Sequence, residues 1–192
     1  MSKQKLYIDF DNTIVDTNAA IVSLYNEDFQ YYKNFKEVKS YEINTWEFLE
    51  CNCAIPEYIN YYFNQPRFFE RLEFMPNAKE VIEKLKKVYD VEILTLGYSP
   101  NCIGKQLWIA KHLPNTKTTC INLKDHKDKS HIDGNNSILL DDKSSNLHTF
   151  SGDKILFGDV YSWNEDWNGI RLHNWTDVEK YFLERNEKIR FD

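Results

Sequence analysis

The sequence predicts an α/β fold with a central parallel sheet, helices on both faces and a small helical insertion after the first strand. Three observations lead to this fold class. Short apolar runs alternate with segments in which apolar residues recur every three or four positions. Several of these runs end in acidic or hydroxyl side chains, and one long aromatic-rich segment breaks the alternation. Strands that alternate with helices favour a parallel sheet covered on both sides.

The predicted strands are four short apolar runs, at residues 6–8, 91–95, 137–140 and 154–157. Residues 78–88 and 103–113 carry apolar side chains at helical spacing. Pro76 precedes the first of these segments, and proline suits the first turn of a helix. A further helical pattern, residues 175–191, is expected to cover the sheet.

Residues 18–75, called the insertion below, do not follow the alternation. They hold 15 of the 29 aromatic residues, so we expect them to pack as a small helical subdomain. The rest of the chain, residues 1–17 and 76–192, forms the predicted core. Packing explains most of the aromatic rings, and one or two of them are expected to line a pocket and stack on a planar ligand.

The 192 residues include 24 basic and 30 acidic side chains, which gives a formal net charge of −6. This balance argues against stable binding to nucleic acid, which needs a basic surface. No apolar run approaches the roughly 20 residues that cross a bilayer, so we expect a soluble, cytoplasmic protein with no membrane partner. The four cysteines are too few and too scattered for a disulfide framework, and we expect reduced thiols.

The most informative segment follows the first predicted strand, where Asp9 and Asp11 are separated by one residue. Residues two apart in an extended chain point the same way, so both carboxylates can face one ligand at the carboxyl end of the strand. Thr13 comes two residues later. Capping of a following helix is the alternative explanation for acidic residues at this place.

Polar side chains also follow the other predicted strands. Thr95 ends the second run, Lys105 lies early in the next helix, and Asp141 and Asp142 end the third run. Each of these residues alone has a structural explanation, as a helix cap or a solvated side chain. Because the ends of parallel strands open at one edge of a sheet, their common position favours a shared site.

Four carboxylates in one site repel one another unless a cation neutralises them. Oxygen ligands favour a hard divalent ion, and Mg²⁺ commonly shares its coordination with phosphate oxygens. The sequence therefore predicts a phosphate dianion held between Mg²⁺ and Lys105.

This order of motifs, Asp-x-Asp-x-Thr, then Thr, then Lys, then an acidic pair, resembles the haloacid dehalogenase (HAD) superfamily phosphatases. Within it the chain is most similar to the 5′(3′)-deoxyribonucleotidases, through the size of the insertion, residues 68–78, residues 105–111 and residues 139–142. The resemblance implies a HAD-like Rossmannoid three-layer core and a helical cap formed by the insertion. It also implies an Mg²⁺-dependent phosphomonoesterase that acts on nucleoside monophosphates.

The resemblance further implies catalytic roles. Asp9 would be the nucleophile that forms an aspartyl-phosphate, which divides hydrolysis into two easier steps. Asp11 would protonate the leaving alkoxide and then activate the attacking water. Mg²⁺ would be held by the carboxylate of Asp9, the main-chain carbonyl of Asp11 and Asp141.

Other matched positions would bind the phosphate. Thr95 would bind a phosphoryl oxygen, and Lys105 would neutralise its charge. Asp142 would orient Lys105 or a metal-bound water, and Thr13 would support the first motif.

The resemblance also suggests which residues meet the rest of the substrate. Trp46, Tyr31 and Phe35 of the insertion are the rings expected to stack on a nucleobase. Lys124 is expected to approach the substrate from a mixed basic and acidic stretch, residues 117–131, that we otherwise expect to be a solvated loop.

Alternative functions are a HAD phosphatase of another small phosphomonoester, or one that acts on the phosphate ends of nucleic acids. A third is a non-enzymatic phospho-acceptor switch like a receiver domain, although receivers place the acidic pair first and the lysine last. The sequence leaves open the base and sugar preference, the 5′ or 3′ position, and the oligomeric state, a homodimer included.

Overall fold

A computed structural model gives the fold of residues 3–189, with side chains described as far as Glu184. The predicted core includes residues 1–2 and 190–192, and the last predicted helical pattern includes residues 190–191. These residues lie outside the described part of the chain. The elements are β1 (Lys5–Ile8), α1 (Thr17–Phe29), α2 (Pro56–Tyr62), α3 (Pro66–Arg71), α4 (Ala78–Leu85), β2 (Asp90–Gly97), α5 (Ser99–His112), β3 (Lys117–Asn122), β4 (Ser137–Asp141), α6 (Ser144–Thr149), β5 (Asp153–Phe157), β6 (Arg171–Leu172) and α7 (Trp175–Ile189).

The six strands found between residues 3 and 189 form one sheet in the order β3-β2-β1-β4-β5-β6, and each neighbouring pair is parallel. After β1 the chain adds β2 and then β3 on one side of β1, and it then crosses to β4 on the other side. The strand order therefore reverses between β1 and β4. Open α/β sheets bind ligands in the crevice at such a reversal.

Helices cover both faces of this sheet, which confirms the predicted three-layer α/β fold. Ile138 and Leu140 of β4 join a large core with residues of α1, α4, α5 and α7. Leu139, between them, points to the other face and packs with Leu147 of α6 and with Phe150. Among the described residues, no helix has both the length and the apolar character needed to cross a membrane.

The insertion contains most of α1, all of α2 and α3, and a short 3₁₀-helix at Ser40–Glu42. The chain leaves the core and returns to it side by side. Val15 forms an antiparallel bridge with Phe74, and the backbone N–H of Asp16 donates to the carbonyl of Glu73 at 3.0 Å. The insertion is helical, as predicted. We propose that it is a domain separate from the core.

The structure corrects two expectations about the segment after α5. Residues 117–122, expected to belong to a solvated loop, form the edge strand β3, which pairs with β2. Cys102 and Cys120, expected to be reduced, are joined in a disulfide. The reason is that α5 packs against β3 and brings together two cysteines that are 18 positions apart. Cys51 and Cys53 are free thiols.

Candidate active site

Asp9 and Asp141 are brought together because β1 and β4 are neighbours at the reversal of the strand order. Ile8 pairs with Leu140, and the backbone N–H of Asp9 donates to the carbonyl of Leu140 at 2.9 Å. Asp9 is 6% exposed and Asp141 is fully buried. Two carboxylates from distant parts of the sequence therefore share one buried place at the carboxyl edge of the sheet.

A lysine that the sequence analysis missed lies between these carboxylates. The Nζ atom of Lys129 is 2.6 Å from Oδ1 of Asp9 and 2.5 Å from Oδ2 of Asp141. Lys129 is fully buried, so the expectation of a solvated loop was wrong for this residue. The loop between β3 and β4 brings the side chain to the sheet edge, and its position shortly before β4 is the one signal of this in the sequence.

Asp141 and Asp142 differ in what their carboxylates contact. Asp141 accepts hydrogen bonds from the backbone N–H of Lys143 at 2.9 Å and from Nδ2 of Asn146 at 3.1 Å, besides the ammonium just described. Asp142 lines a cavity, and Trp163 Nε1 donates to it at 3.0 Å. Contacts within the protein therefore occupy Asp141, whereas Asp142 faces the cavity.

Burial and mutual repulsion shift the pKa values of these groups. Burial is the main cause that raises the pKa of Asp9 to about 7, and Asp141 adds to the rise while Lys129 opposes it. Burial, followed by the charges of Asp141 and Asp9, also raises the pKa of Asp142 well above its usual value. Burial lowers the pKa of Lys129, but the attraction of Asp141 and Asp9 outweighs burial and leaves it raised. The site thus has excess negative charge that a bound cation would relieve.

Lys105 and Thr95 meet above the end of β2, next to Asp11. The Nζ atom of Lys105 donates to Oγ1 of Thr95 at 2.9 Å and to the carbonyl of Leu96 at 2.8 Å, and it pairs with Oδ2 of Asp11. Thr17 donates to the other oxygen of Asp11 at 2.9 Å. These contacts fix the carboxylate of Asp11 at the cavity wall.

Thr13 lies behind the cavity wall, and Asp142 lies on the wall without contacting Lys105. Thr13 is buried and is absent from the cavity lining, and its carbonyl accepts a hydrogen bond from Trp175 Nε1 at 2.8 Å. It therefore joins the loop after β1 to α7. Asp142 makes no hydrogen bond to Lys105 within the described part of the chain, because Trp163 is its side-chain donor.

A cavity of about 340 Å³ opens over these groups, with walls from both the core and the insertion. Its volume falls in the range of about 300–1,000 Å³ that is typical of small-molecule sites. The apolar part of the wall consists of Trp46, Phe48, Phe63, Leu96, Tyr98, Leu123 and Trp163. The charged part consists of Asp9, Asp11, Asp142, Lys105, Lys127 and Lys143. Such a cavity can hold a phosphate at one end and a flat apolar group at the other.

Of the four residues expected to contact the rest of the substrate, the structure places one at the cavity and three elsewhere. Trp46 lines the cavity. Tyr31 is 90% exposed, and Phe35 packs on Tyr25 inside the insertion with ring centroids 5.7 Å apart. Lys124 is exposed and does not line the cavity; Lys127 does. The predicted pocket positions of Tyr31, Phe35 and Lys124 are therefore corrected.

Trp46 also joins the insertion to the core at the cavity. The Nζ atom of Lys143 lies 3.4 Å from the centre of its ring, and Trp163 meets the ring edge to face at 5.9 Å. Glu50 holds the loop that carries Trp46, since its carboxylate accepts from the backbone N–H of Thr45 at 3.0 Å and from the Thr45 hydroxyl at 2.8 Å. A cation–π contact therefore links this loop to the residue after Asp142.

The donor set at this place fits Mg²⁺. Carboxylate oxygens of Asp9, Asp141 and Asp142 lie within 4.8 Å of one another, and all three residues are buried. Mg²⁺ prefers such hard oxygen ligands together with phosphate oxygens. Burial, and after it repulsion between the carboxylates, raises the pKa values of Asp9 and Asp142, and a cation among them would relieve both costs.

Known proteins match this chain over almost its full length. The model of the family described as "5' nucleotidase, deoxy (Pyrimidine), cytosolic type C protein" matches residues 3–187. The chain belongs to this family. A 5'(3')-deoxyribonucleotidase of Clostridium acetobutylicum is 27% identical over 179 residues, which are 93% of this chain and 94% of that protein.

Solved structures show the same fold for this nucleotidase-family chain. A haloacid dehalogenase-like hydrolase of Streptococcus pneumoniae superposes with a TM-score of 0.63 at 13% identity, over 94% of this chain and 98% of that one. A HAD-hydrolase of Bacillus subtilis, described as bound to magnesium, gives a TM-score of 0.57 at 14% identity, over 94% and 99%. The fold, the family and the relatives together make this protein a phosphoric monoester hydrolase of the 5′-nucleotidase kind.

Proposed function

We propose that this nucleotidase-family enzyme is an Mg²⁺-dependent 5′(3′)-deoxyribonucleotidase that works through an aspartyl-phosphate on Asp9. One observation carries the proposal: the buried carboxylate of Asp9 lines the cavity while Lys129 holds one of its oxygens at 2.6 Å. A nucleophile fixed in this way beside a cation suits phosphoryl transfer, which depends mainly on positioning and charge stabilisation. Membership of the family supports a nucleotide as the substrate.

The reaction would take place in two steps. Asp11 takes up a proton when the negatively charged phosphate enters the site. In the first step, an oxygen of Asp9 attacks phosphorus, the bond from phosphorus to the ester oxygen breaks, and Asp11 gives this proton to the leaving alkoxide. In the second, Asp11 takes a proton from water as the water attacks the aspartyl-phosphate, which releases inorganic phosphate and regenerates Asp9. Lys105 and Thr17, which contact the carboxyl group of Asp11, would hold it close enough to the ester oxygen for proton transfer.

Three groups would stabilise the phosphoryl oxygens, one as a hydrogen-bond donor and two through their positive charge. Lys129 and Lys105 supply positive charge near Asp9, and the hydroxyl of Thr95, which accepts from Lys105, keeps its proton free to donate to a phosphoryl oxygen. These groups would stabilise the negative charge on the phosphoryl oxygens in the transition state.

Asp9, Asp141 and Asp142, with the main-chain carbonyl of Asp11, are the groups that would hold Mg²⁺. Asp141 is the ligand that the sequence predicted, and its carboxylate lies close to those of Asp9 and Asp142 while it also accepts from Lys129. We add Asp142 to the predicted ligands because its carboxylate faces the cavity. Bound Mg²⁺ supplies positive charge that offsets the charge of the phosphate. The Bacillus subtilis hydrolase of similar fold is described as bound to magnesium, which supports Mg²⁺ as the cation.

Phosphate release from a panel of substrates tests the proposal. The panel contains deoxyribonucleoside 5′- and 3′-monophosphates, ribonucleotides, a small sugar phosphate and an oligonucleotide with a 3′-phosphate, each with and without Mg²⁺. We propose that the enzyme acts in the cytoplasm, so the assay is run at near-neutral pH. We expect the deoxyribonucleotides to react fastest, and only with Mg²⁺. Faster release from the oligonucleotide or the sugar phosphate would contradict the substrate assignment.

The role of Asp9 is tested by Asp9→Asn, with Asp125→Asn, an exposed aspartate, as the matched control. Asp9→Asn should lose about 10⁴-fold or more in kcat, as expected when a nucleophile is removed. Acid quenching of the native enzyme during turnover should yield a phosphorylated peptide that contains Asp9. Full activity of the variant, or a phosphorylated peptide from elsewhere in the chain, would exclude Asp9 as the nucleophile.

A further inference from the structure

Asparagine side chains are common on the wall of the cavity. Those that line it are Asn12, Asn18, Asn60, Asn64, Asn101 and Asn146. An amide both donates and accepts hydrogen bonds. Most of these amides are used within the protein: that of Asn12 donates to Asn18 at 3.0 Å, that of Asn101 to the carbonyl of Phe63 at 2.8 Å, and that of Asn146 to Asp141 at 3.1 Å. These amides therefore have partners within the protein.

Asn60 and Asn64 are the two that remain, and they differ in their access to water. Asn60 is exposed, so solvent can satisfy its amide. The Oδ1 atom of Asn64 is shielded from solvent, and no residue in the described part of the chain donates a hydrogen bond to it. A buried acceptor without a donor costs free energy. Since this oxygen is out of reach, the part of the amide that a ligand in the cavity can contact is Nδ2, which donates to no residue in the described part of the chain.

The position of Asn64 is fixed relative to the catalytic groups. Its neighbour Phe63 accepts the hydrogen bond from Asn101, which is 4% exposed and belongs to α5. The same helix carries Lys105, which pairs with Asp11. The backbone next to Asn64 is therefore held in place relative to Lys105, and a polar group positioned before binding can discriminate between ligands.

The chemistry of a nucleobase matches these walls. Trp46 and Phe48 offer aromatic surface against which a base can pack, and the polar edge of each base carries N–H groups and acceptor atoms together. An amide can present its oxygen to an N–H group or its nitrogen to a carbonyl oxygen. We infer that the side-chain amide of Asn64 hydrogen-bonds the polar edge of the nucleobase and so helps determine substrate specificity. This inference rests on the proposed function.

The variant Asn64→Leu tests the inference, because leucine is of similar size and has no hydrogen-bonding group. Two substrates are compared: deoxyuridine 5′-monophosphate, and 2-deoxyribose 5-phosphate, which has the same sugar and phosphate but no base. We expect kcat/KM for the nucleotide to fall about 10- to 100-fold. We expect kcat/KM for the sugar phosphate to change less than about twofold, because this substrate has no base that Asn64 could bind. Asn34→Leu, an exposed position of the insertion, is the matched control and should alter neither value.

The outcomes separate this inference from the proposed function. An equal fall for both substrates in Asn64→Leu, or no fall for the nucleotide, would overturn the inference alone. Native enzyme that hydrolyses the sugar phosphate as well as it does the nucleotide would overturn the proposed function, and the inference with it. If Asn64→Leu does not fold, Asn64→Asp decides by the same ratio, since it keeps the shape and loses the donor. Loss of the nucleotide preference in either folded variant supports the inference.

Discussion

The Nζ atom of Lys129 lies 2.6 Å from Oδ1 of Asp9, although 120 positions separate the two residues in the chain. The same ammonium lies 2.5 Å from Asp141. Lys129 thus neutralises two buried carboxylates from neighbouring strands. A buried ion cluster of this kind leaves uncompensated charge when one partner is removed.

Substitution Lys129→Met should therefore lower the free energy of unfolding by about 3 kcal/mol in the absence of divalent ions. The reason is that Asp9 and Asp141 would remain buried without their cation. Urea denaturation followed by circular dichroism measures the change. Addition of Mg²⁺ should restore part of the loss, because the metal supplies charge at the same carboxylates.

Lys124→Met, at an exposed position five residues earlier, is the matched control and should leave the free energy of unfolding unchanged. Equal effects of the two substitutions would contradict a special role for the buried ammonium. A loss in Lys129→Met that Mg²⁺ does not reduce would contradict a metal site at these carboxylates.

The carboxylates of this site could be located from sequence because side chains alternate between the two faces of a strand, and polar residues at the end of an apolar run mark the end of the strand. Asp9 and Asp141 each come at the end of an apolar run, and parallel strands end at one edge of the sheet. The alternation of strands and helices likewise predicted the fold class. These features are local, so a sequence pattern is sufficient to show them.

Features that depend on long-range packing could not be predicted in this way. Lys129 belongs to a stretch of mixed charge that has the same sequence pattern whether it is exposed or buried. In α5 the apolar residues Ile103 and Leu107 are 58% and 68% exposed, whereas Lys105 is 1% exposed, because the face that carries Lys105 and Trp108 packs inward. Tyr31 illustrates the same limit, since aromatic character alone does not distinguish a pocket wall from a surface.

The pH dependence of stability should contain a contribution from Glu92, which lies on β2 away from the cavity. Burial raises its pKa, but hydrogen bonds from Lys117, Thr119 and Lys5 outweigh burial, so the pKa lies below its usual value of 4.5. A carboxyl group with a lowered pKa stabilises the folded state above its unfolded pKa, and this stability is lost as the pH falls through the folded value. The contribution is therefore complete above about pH 5 and disappears at lower pH.

Glu92→Gln should lower the free energy of unfolding at pH 7 by about 1–3 kcal/mol, since it weakens hydrogen bonds to a buried charge. It should also make the acid decline in stability less steep than that of the native protein. Urea denaturation from pH 7 down to pH 3 measures both effects, with the exposed Glu83→Gln as control. Parallel curves for the native protein and Glu92→Gln would refute this assignment.

Gly97 should tolerate no side chain, because Asn101 occupies the space next to it. A Cβ atom at Gly97 would lie 2.3 Å from Oδ1 of Asn101, whose Nδ2 donates to Phe63 in the insertion. Gly97→Ala should therefore displace this amide, destabilise the protein by about 1–3 kcal/mol and raise KM. In Gly97→Ala/Asn101→Ala the clash is absent, so the double variant should be more stable than the sum of the single effects predicts. Additive effects on the melting temperature would show that the two residues do not interact.

The disulfide between Cys102 and Cys120 joins α5, which carries Lys105, to the edge strand β3. Closing a loop of about 15 residues stabilises a folded chain by about 3 kcal/mol, because the cross-link restricts the unfolded state. Thiol titration of the unfolded, unreduced protein should detect Cys51 and Cys53, and titration after reduction should detect all four cysteines. Reductant should lower the melting temperature of the native protein to that of Cys102→Ser/Cys120→Ser and leave that variant unchanged. Four thiols before reduction would mean that the disulfide does not form, and then the contact of α5 with β3 would have to rely on packing alone.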